Sequence, residues 1–412
     1  MERKNEQIEL ARGGSPMRIA MRRLLADRVA VASILLIASI AVIALLGYLI
    51  IPDSSPFAND QHLQLATLKP GSKVKLLRAA KQHEVKRRNV LGRMFYGQEQ
   101  PYNEIPVDSI CFDGIKVYAY EYNPIPDGDP IVTEFTLPEI FFRLSPKKKY
   151  LFANDTITAF LNNGEQVILS LAEAQQRVLN QNLVTRRFLL GTDRFGRDLL
   201  SRLVIGARIS LSVGFIAVGI ALIIGIVLGA IAGFARGFID DAIMWLVNVV
   251  WSVPTLLLVI ALTMVIGKGF WQIFVAVGLT MWVDMARVVR GQVLSVREKE
   301  YVEAAKVLGY GPWRIIFRHV LPNIVAPVII VSASNFSTAI LLEAGLSFLG
   351  IGVQPPAPSW GTMIRDHYGY IVMNKAYLAL IPGFAMMILV LAFNLLGNSL
   401  RDALDPREIE KA

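Results

Sequence analysis

The stretch with the most informative chemistry is residues 300–323, which read EYVEAAKVLGYGPWRIIFRHVLPN. Good helix formers fill its first third, and Gly309 and Gly311 then provide positions where a positive φ costs little. Pro312 suits the first turn of a second helix, and Pro322 ends that helix. The pattern predicts a helix, a turn and a second helix with a mixed apolar and basic surface. Such a surface suits docking of a partner protein, although a purely structural loop has the same pattern.

The sequence offers no recognisable catalytic group. Cys111 is the only cysteine, so an intrachain disulfide and a cysteine-based zinc site are both excluded, and we expect it to be a small buried apolar residue. A phosphate-binding loop of the form G-x-x-x-x-G-K-[ST] is absent, since residues 267–269 read GKG without the upstream Gly or the following Ser or Thr. We therefore predict no catalytic residue, no metal site and no cofactor bound by this chain.

Two acidic residues lie at the ends of apolar segments. Glu343 ends one of them, where an ionisable group is costly unless it is paired or hydrated. It either lies near a transport path, or is a charge at the membrane surface, or has a structural partner. Asp284 closes another beside Arg287, as expected of an interfacial ion pair.

Residues 191–198, GTDRFGRD, have the composition of a helix start. Thr192 or Asp193 is the predicted cap, and the residues that follow predict an interfacial helix at the outer face. The candidates for an outer gate are Gly191, Thr192, Asp193, Gly196, Arg197, Asp198 and Glu343.

Apolar residues dominate the chain of 412 residues: 54% belong to the set AVILMFWYC and only 18% are charged. Soluble domains average about 25% charged residues, so a water-soluble enzyme of this size would lack polar surface. Apolar segments that predict membrane spans, one of them short, are residues 29–51, 209–235, 242–266, 270–283, 324–342 and 377–396. We predict an all-α polytopic membrane protein with six transmembrane helices.

The basic residues predict the orientation of these spans. Residues 1–28 hold seven Lys or Arg against four acids, and residues 285–323 hold seven against three, so both segments are predicted to be cytoplasmic. The net charge of +9 therefore reflects topology, and no nucleic-acid partner is expected. One feature conflicts with the rule, because six arginines crowd the outer entrance to the second span: Arg186, Arg187, Arg194, Arg197, Arg202 and Arg208.

Residues 52–188 have the composition of a water-soluble module, with 17 Lys or Arg and 15 Asp or Glu, and predict a small α+β extracytoplasmic insert. We predict that the protein lies in the cell inner (plasma) membrane, with both termini in the cytoplasm. The predicted divisions are a cytoplasmic segment 1–28, a first span 29–51, the insert 52–188, an outer interfacial segment 189–208, a core 209–397 with five helices and the loop 285–323, and a cytoplasmic tail 398–412.

Glycines recur at every fourth position of the second span, at Gly225, Gly229 and Gly233. They form one smooth ridge that another helix can approach closely, and a pore-lining or sliding surface is the alternative. Three prolines lie inside predicted spans: Pro254, Pro327 and Pro382. Each leaves a backbone carbonyl without its helical hydrogen bond. Such prolines either kink the helices or help to form a transport pathway.

These motifs resemble a known family. Glu303, Ala304, Ala305, Gly309, Leu321 and Pro322 match the EAA signature of membrane subunits of binding-protein-dependent ABC importers. His319 replaces the usual Ile and resembles the oligopeptide and dipeptide branch. Residues 191–211, 343–362 and 391–407 resemble the C-type permease subunit of peptide and nickel importers. The insert is where the resemblance fails.

The resemblance implies a type I ABC importer permease fold. It also implies that the loop 285–323 docks on an ATP-binding subunit through Glu303, Ala304, Ala305, Gly309, His319, Leu321 and Pro322. ATP and Mg²⁺ would be bound by two partner ATPase subunits. The other implied partners are a second permease subunit, an extracytoplasmic substrate-binding protein and the lipid bilayer.

The predicted function is a permease subunit that translocates oligopeptides or dipeptides delivered by an external binding protein. Within the same class, nickel or another small solute is the alternative substrate. From another class, a membrane receptor would use the insert as a sensor and the loop to dock a signalling partner. A secondary transporter is disfavoured by the scarcity of acids within the spans.

Overall fold

The computed structural model describes residues 16–125, 128–267 and 269–404. The chain divides into two compact units. The helical unit comprises the described parts of residues 1–44, 206–368 and 379–412, and the insert unit comprises those of residues 45–205 and 369–378.

The described chain contains fourteen α-helices. Their bounds are α1 Pro16–Ala26, α2 Arg28–Ile50, α3 Val90–Tyr96, α4 Leu137–Phe141, α5 Leu171–Arg177, α6 Leu199–Ala235, α7 Gly237–Ser252, α8 Thr255–Ile266, α9 Phe270–Arg297, α10 Glu300–Val307, α11 Pro312–Ile315, α12 Val325–Phe348, α13 Trp360–His367 and α14 Tyr377–Leu404.

Among the described residues, five helices are long and apolar enough to cross a membrane, namely α2, α6, α9, α12 and α14. The bent pair of α7 and α8 raises the number to six if it is one span. A helix satisfies all its interior backbone hydrogen bonds within itself, as the lipid interior requires. The predicted polytopic helical class with a small sheet-containing insert is confirmed.

The predicted span 242–266 is broken in the structure. Helices α7 and α8 meet at a bend of 95°, and Val253 between them has an extended backbone. The cause is Pro254, which has no backbone N–H and disfavours the helical conformation of the residue before it.

The helix that contains the predicted fourth span, residues 270–283, is longer than that apolar segment, because α9 continues to Arg297. Where the span ends stays a prediction. The charges that suggested an interface are neutralised or covered. Arg290 donates to both Asp240 oxygens, at 2.5 and 2.7 Å, and Arg287 lies 4.0 Å from the Trp251 ring centroid instead of pairing with Asp284. The predicted loop 285–323 is therefore helical in its first third.

The insert unit contains eight described strands: β1 Ser72–Ala80, β2 Tyr102–Asp113, β3 Lys116–Glu121, β4 Val132–Thr136, β5 Tyr150–Ala153, β6 Thr156–Phe160, β7 Gln166–Ser170 and β8 Leu183–Phe188. One antiparallel sheet has the order β4-β3-β2-β1-β8, and a second has the order β5-β6-β7. Leu77 of β1 lies opposite Ile105 of β2 and Leu183 of β8. These residues contribute to a core that also contains Val107, Val117, Leu137, Ile140, Ile157 and Val178.

Cys111 is exposed on β2, so the expectation of a buried residue is wrong. Its neighbours Ile110 and Phe112 pack against the sheet core. Because successive side chains of a strand point to opposite faces, Cys111 falls on the solvent face.

Candidate functional site

The α9–α12 segment, residues 298–323, contains the EAA-like motif. Helix α10 ends in a glycine cap: the Gly309 N–H donates to the Lys306 carbonyl at 2.9 Å, and the Tyr310 N–H donates to the Ala305 carbonyl at 3.1 Å. Gly309 has φ +78°, and a Cβ added there would meet nothing within 4 Å. The glycine is therefore required by its left-handed backbone, as in a Schellman cap, and not by lack of space.

One face of the α9–α12 segment is buried. Val302 and Ala305 of α10 pack in a cluster with Val293 and Val296 of α9. Ile315, Ile316, Val320, Ile324 and Val328 belong to the same cluster. The segment is thus joined through its apolar face to both α9 and the start of α12.

The opposite face is exposed and carries large apolar side chains beside charged ones. Val307 is 88% exposed and Leu308 is 71% exposed. Trp313 and Phe317 are also exposed, with their rings nearly parallel at 6.3 Å. We call these four residues the apolar patch. Contiguous exposed apolar groups mark interaction sites, and sequence reasoning did not single them out, although the two-faced pattern of residues 300–323 contained the signal.

The predicted motif residues fall on both faces of the segment. Glu303, Ala304, Gly309 and Pro322 are exposed, whereas Ala305 is buried. Leu321 packs partly against the buried cluster. The half-buried His319 ring lies parallel to the Tyr310 ring, with centroids 6.3 Å apart.

The end of α6 holds the beginning of the α9–α12 segment. Arg297 donates to the Phe234 carbonyl oxygen, and Arg236 forms an ion pair with Glu298. This ion pair is solvent-exposed, so its contribution to stability is small. The two contacts fix where the segment leaves α9.

The glycine ridge of α6 lies directly against α9. A Cβ added at Gly225 would lie 2.6 Å from Met285 Cβ, one at Gly229 would lie 2.5 Å from the Ala286 carbonyl oxygen, and one at Gly233 would lie 2.8 Å from the Arg290 carbonyl oxygen. These distances are shorter than any side chain tolerates. The ridge therefore brings the α6 backbone onto the same helix that the α9–α12 segment extends.

Glu343 is fully buried in α12. Its Oε1 accepts a hydrogen bond from the Ser347 hydroxyl at 2.6 Å, and Ser347 Oγ also accepts from the Val353 N–H at 3.2 Å. Ser359, which caps α13, lies 3.3 Å from the same hydroxyl. This geometry favours the structural-partner alternative for Glu343, and an outer-gate role stays a prediction.

The other predicted outer-gate residues form a buried turn in the insert unit. Thr192 Oγ1 donates to the Leu65 carbonyl, and Asp193 pairs with Arg197 at 2.6 Å. Gly191 and Gly196 both have positive φ, and an added Cβ would collide with the carbonyls of Leu68 and His62. The gate role of these residues also stays a prediction.

The predicted helix cap at Thr192 or Asp193 is misplaced, because α6 begins at Leu199. Asp198 caps it, accepting from the Ser201 N–H at 2.8 Å and from the Ser201 hydroxyl. No separate interfacial helix precedes α6 in the described chain, since residues 199–235 form one continuous helix. Burial raises the pKa of Asp198 above its ordinary value, against the lowering effect of the Ser201 hydrogen bonds.

One group of potential metal ligands occurs among the described residues, formed by Asp60, His62 and Glu104. Glu104 is already paired with Arg78 at 3.0 Å and with Arg186 at 2.6 Å. Two guanidinium groups beside this carboxylate disfavour a further cation. The group is therefore better explained as an ion-pair network.

Two family models match parts of the chain. Residues 225–410 match the family model of the binding-protein-dependent transport system inner membrane component. Residues 15–70 match the N-terminal transmembrane domain of oligopeptide transport permease C. The dipeptide transport system permease protein DppC of Alkalihalophilus pseudofirmus is 45% identical over 217 residues, covering 53% of this chain and 71% of that protein. The chain belongs to the peptide-type permease subunits of ABC importers.

Other relatives of this permease are also named as permease proteins of transport systems. The oligopeptide transport system permease protein OppC of Bacillus subtilis is 42% identical, covering 53% of this chain and 71% of that protein. The glutathione transport system permease protein GsiD of Pectobacterium atrosepticum is 40% identical, covering 53% and 72%. A solved structure of the MetNI methionine ABC transporter, in inward-facing conformations, has a TM-score of 0.42 at 20% identity, covering 50% of this chain and 96% of that chain.

Family membership confirms the resemblance found in the sequence. The permease is a multi-pass membrane protein and a transport subunit, not a catalytic one. Residues 71–224 lie outside both family models. They include every described strand of the insert unit, so the family matches do not account for this module.

Proposed function

We propose that this permease translocates dipeptides or oligopeptides that an extracytoplasmic binding protein delivers, driven by ATP hydrolysis on separate subunits. The peptide-transport names of its relatives support the substrate class. The single observation that carries the coupling role is the two-faced α9–α12 segment. Its apolar patch is free in the chain, while its other face is packed on α9 and α12.

In the proposed mechanism, a partner ATPase subunit covers the apolar patch. When ATP binding closes the ATPase pair, the patch moves with it, and the buried contacts of Val302 and Ala305 transmit that movement to α9. The membrane helices then exchange between inward-facing and outward-facing states. ATP shifts this balance only because the two states differ in their contacts with the ATPase.

The proposed assembly contains a second permease subunit, two ATPase subunits that bind ATP and Mg²⁺, and the external binding protein. The termini and the α9–α12 segment lie in the cytoplasm, and the insert unit lies outside an inner (plasma) membrane. The arginines that conflicted with this orientation are partly neutralised: Arg186 pairs with Glu104, and Arg197 pairs with Asp193. The positive-inside rule also applies only weakly to translocated segments longer than about 60 residues, and residues 52–188 form such a segment.

Copurification of the ATPase subunits with the full chain tests the docking role. Val307→Asp places a carboxylate in the apolar patch, and burying it under a partner costs several kcal/mol, so we expect copurification to fall at least tenfold. Val372→Asp is the matched control, because Val372 is 89% exposed and Val307 is 88% exposed. Equal recovery of the ATPases with both variants would contradict the proposed docking surface.

A further inference from the structure

The helical unit contains a polar cavity of about 540 Å³ between α9, α12 and α14. Helix α9 contributes Asp284, and α12 contributes Ser334 and Asn335. Helix α14 contributes Asn394, Asn398 and Arg401. The volume lies within the usual range of small-molecule sites, about 300–1,000 Å³. The family matches assign no role to these residues.

Polar and ionisable groups in spanning helices are costly unless they are paired or face water. Two groups that line the cavity have no such pairing. Asp284 is exposed at the cavity and has no ion-pair or hydrogen-bond partner in the described part of the chain. Asn335 is only 7% exposed, and its Nδ2 lacks a hydrogen-bond acceptor among the described residues.

Two other acids of the helical unit have partners within the chain, although Glu343 Oε2 lacks one among the described residues. Asp240 of α7 binds Arg290 through both oxygens, and Glu343 of α12 accepts from Ser347. The unpartnered Asn335 amide lines an open cavity, so a molecule from outside the chain can supply its partner. Buried amides without a partner in a native protein require such an explanation.

The donor and acceptor set of the cavity is complementary to a short peptide. A carboxylate such as Asp284 binds an ammonium group, and the guanidinium of Arg401 binds a carboxylate in a bidentate manner. The side-chain amides of Asn335, Asn394 and Asn398 both donate and accept, as peptide groups do. None of these contacts involves the side chains of the peptide.

We propose that this cavity is a transit site that binds the main chain and charged termini of the transported peptide during translocation. The inference rests on the proposed function, since it names where a peptide substrate would be held. Binding at such a site must be weak enough to allow release, so the site accelerates passage without adding selectivity among side chains. It explains how one pathway serves peptides of different sequence.

The test uses the assembled importer in proteoliposomes, with a radiolabelled tripeptide and its binding protein. Two quantities are measured: binding-protein-stimulated ATP hydrolysis and peptide uptake per ATP hydrolysed. The first variant is Asn335→Leu, which replaces an unpartnered amide by an apolar group of similar size and is expected to fold at least as well. The second is the nearly isosteric Asp284→Asn. Thr338→Val is the control, because the Thr338 hydroxyl donates to its own helix at Ser334.

We expect both cavity variants to retain stimulated ATP hydrolysis while uptake per ATP falls about tenfold, the effect of one hydrogen bond to a charged or buried group. Thr338→Val retains both quantities. Unchanged uptake per ATP in both cavity variants would overturn the transit site. So would parallel loss of hydrolysis and uptake, which indicates contacts with the second permease. Failure of the unsubstituted importer to take up any peptide would instead refute the proposed function.

Discussion

Replacing Gly229 by Ala tests whether the close contact between α6 and α9 determines the stability of the helical unit. The added Cβ would lie 2.5 Å from the Ala286 carbonyl oxygen and 2.9 Å from Val289 Cβ. Neither atom belongs to the flexible end of a side chain, so the helices must separate. Overpacking of this kind costs about 1–3 kcal/mol.

Gly219→Ala is the matched control on the same helix, because a Cβ at Gly219 would meet nothing within 4 Å. Both variants gain the same helix propensity, about 0.5–1 kcal/mol, so their difference isolates the contact. We expect the unfolding equilibrium constant of Gly229→Ala to exceed that of Gly219→Ala by roughly fivefold to a hundredfold. The assay is reversible denaturation of the purified chain in detergent micelles. Equal stability of the two variants would refute the close-packing argument.

Three further predictions concern single side chains. Gly309→Val forces a β-branched residue into the left-handed backbone of the α10 cap and should abolish binding-protein-stimulated ATP hydrolysis. Gly309→Asn should retain most of this activity, because asparagine tolerates that backbone. Equal activity of the two variants would contradict the role of the cap. Asp240→Asn removes a charge-assisted pair with Arg290 and should lower the free energy of unfolding by about 1.5–3 kcal/mol. Asp241→Asn is the control and should change this free energy little, because Asp241 is exposed. Equal losses of the two variants on denaturation in detergent would be inconsistent with the pair. Asp198→Asn keeps an acceptor for Ser201 and removes a carboxyl whose pKa is raised by burial. The stability of this variant relative to the unsubstituted chain should therefore increase as the pH rises above 3.8. Thermal unfolding measured across pH tests this, and a constant or falling difference would oppose it.

The sign of the pH effect follows from linkage. A carboxyl with a raised folded-state pKa stabilises the fold fully only below its unfolded value, near 3.8. That contribution is lost as the pH rises through the raised value. Asparagine does not ionise, so the Asp198→Asn variant escapes the loss.

The helical architecture was predictable because hydrophobic length alone indicates a membrane span. The insert was predictable from its charge content and its β-forming residues. Helix ends were less predictable, since the charges of α9 suggested a membrane interface at residue 284. The continuation of α9 to Arg297 is accompanied by tertiary contacts such as Arg290 with Asp240, which the sequence does not reveal.

The candidate site was predictable in position but not in its faces. Gly309 and Pro312 marked the turn, and the structure places both there. The pattern of residues 300–323 indicated two faces but did not show which of them is buried, because Val307 and Val302 are chemically alike and differ only in which side of α10 they occupy. The polar cavity joins residues from three helices distant in sequence, so no local pattern revealed it.

Crosslinking gives the most direct test that the α9–α12 segment docks on an ATPase subunit. Cys111→Ser leaves the chain without cysteine. Leu308→Cys in this background then provides one thiol at a position that is 71% exposed, and Ile168→Cys in β7 provides a control at one that is 68% exposed. With a short bis-maleimide, the account predicts that the Leu308→Cys variant crosslinks to an ATPase subunit in the assembled importer and the Ile168→Cys variant does not. No ATPase adduct from Leu308→Cys, or equal adducts from both, would contradict it.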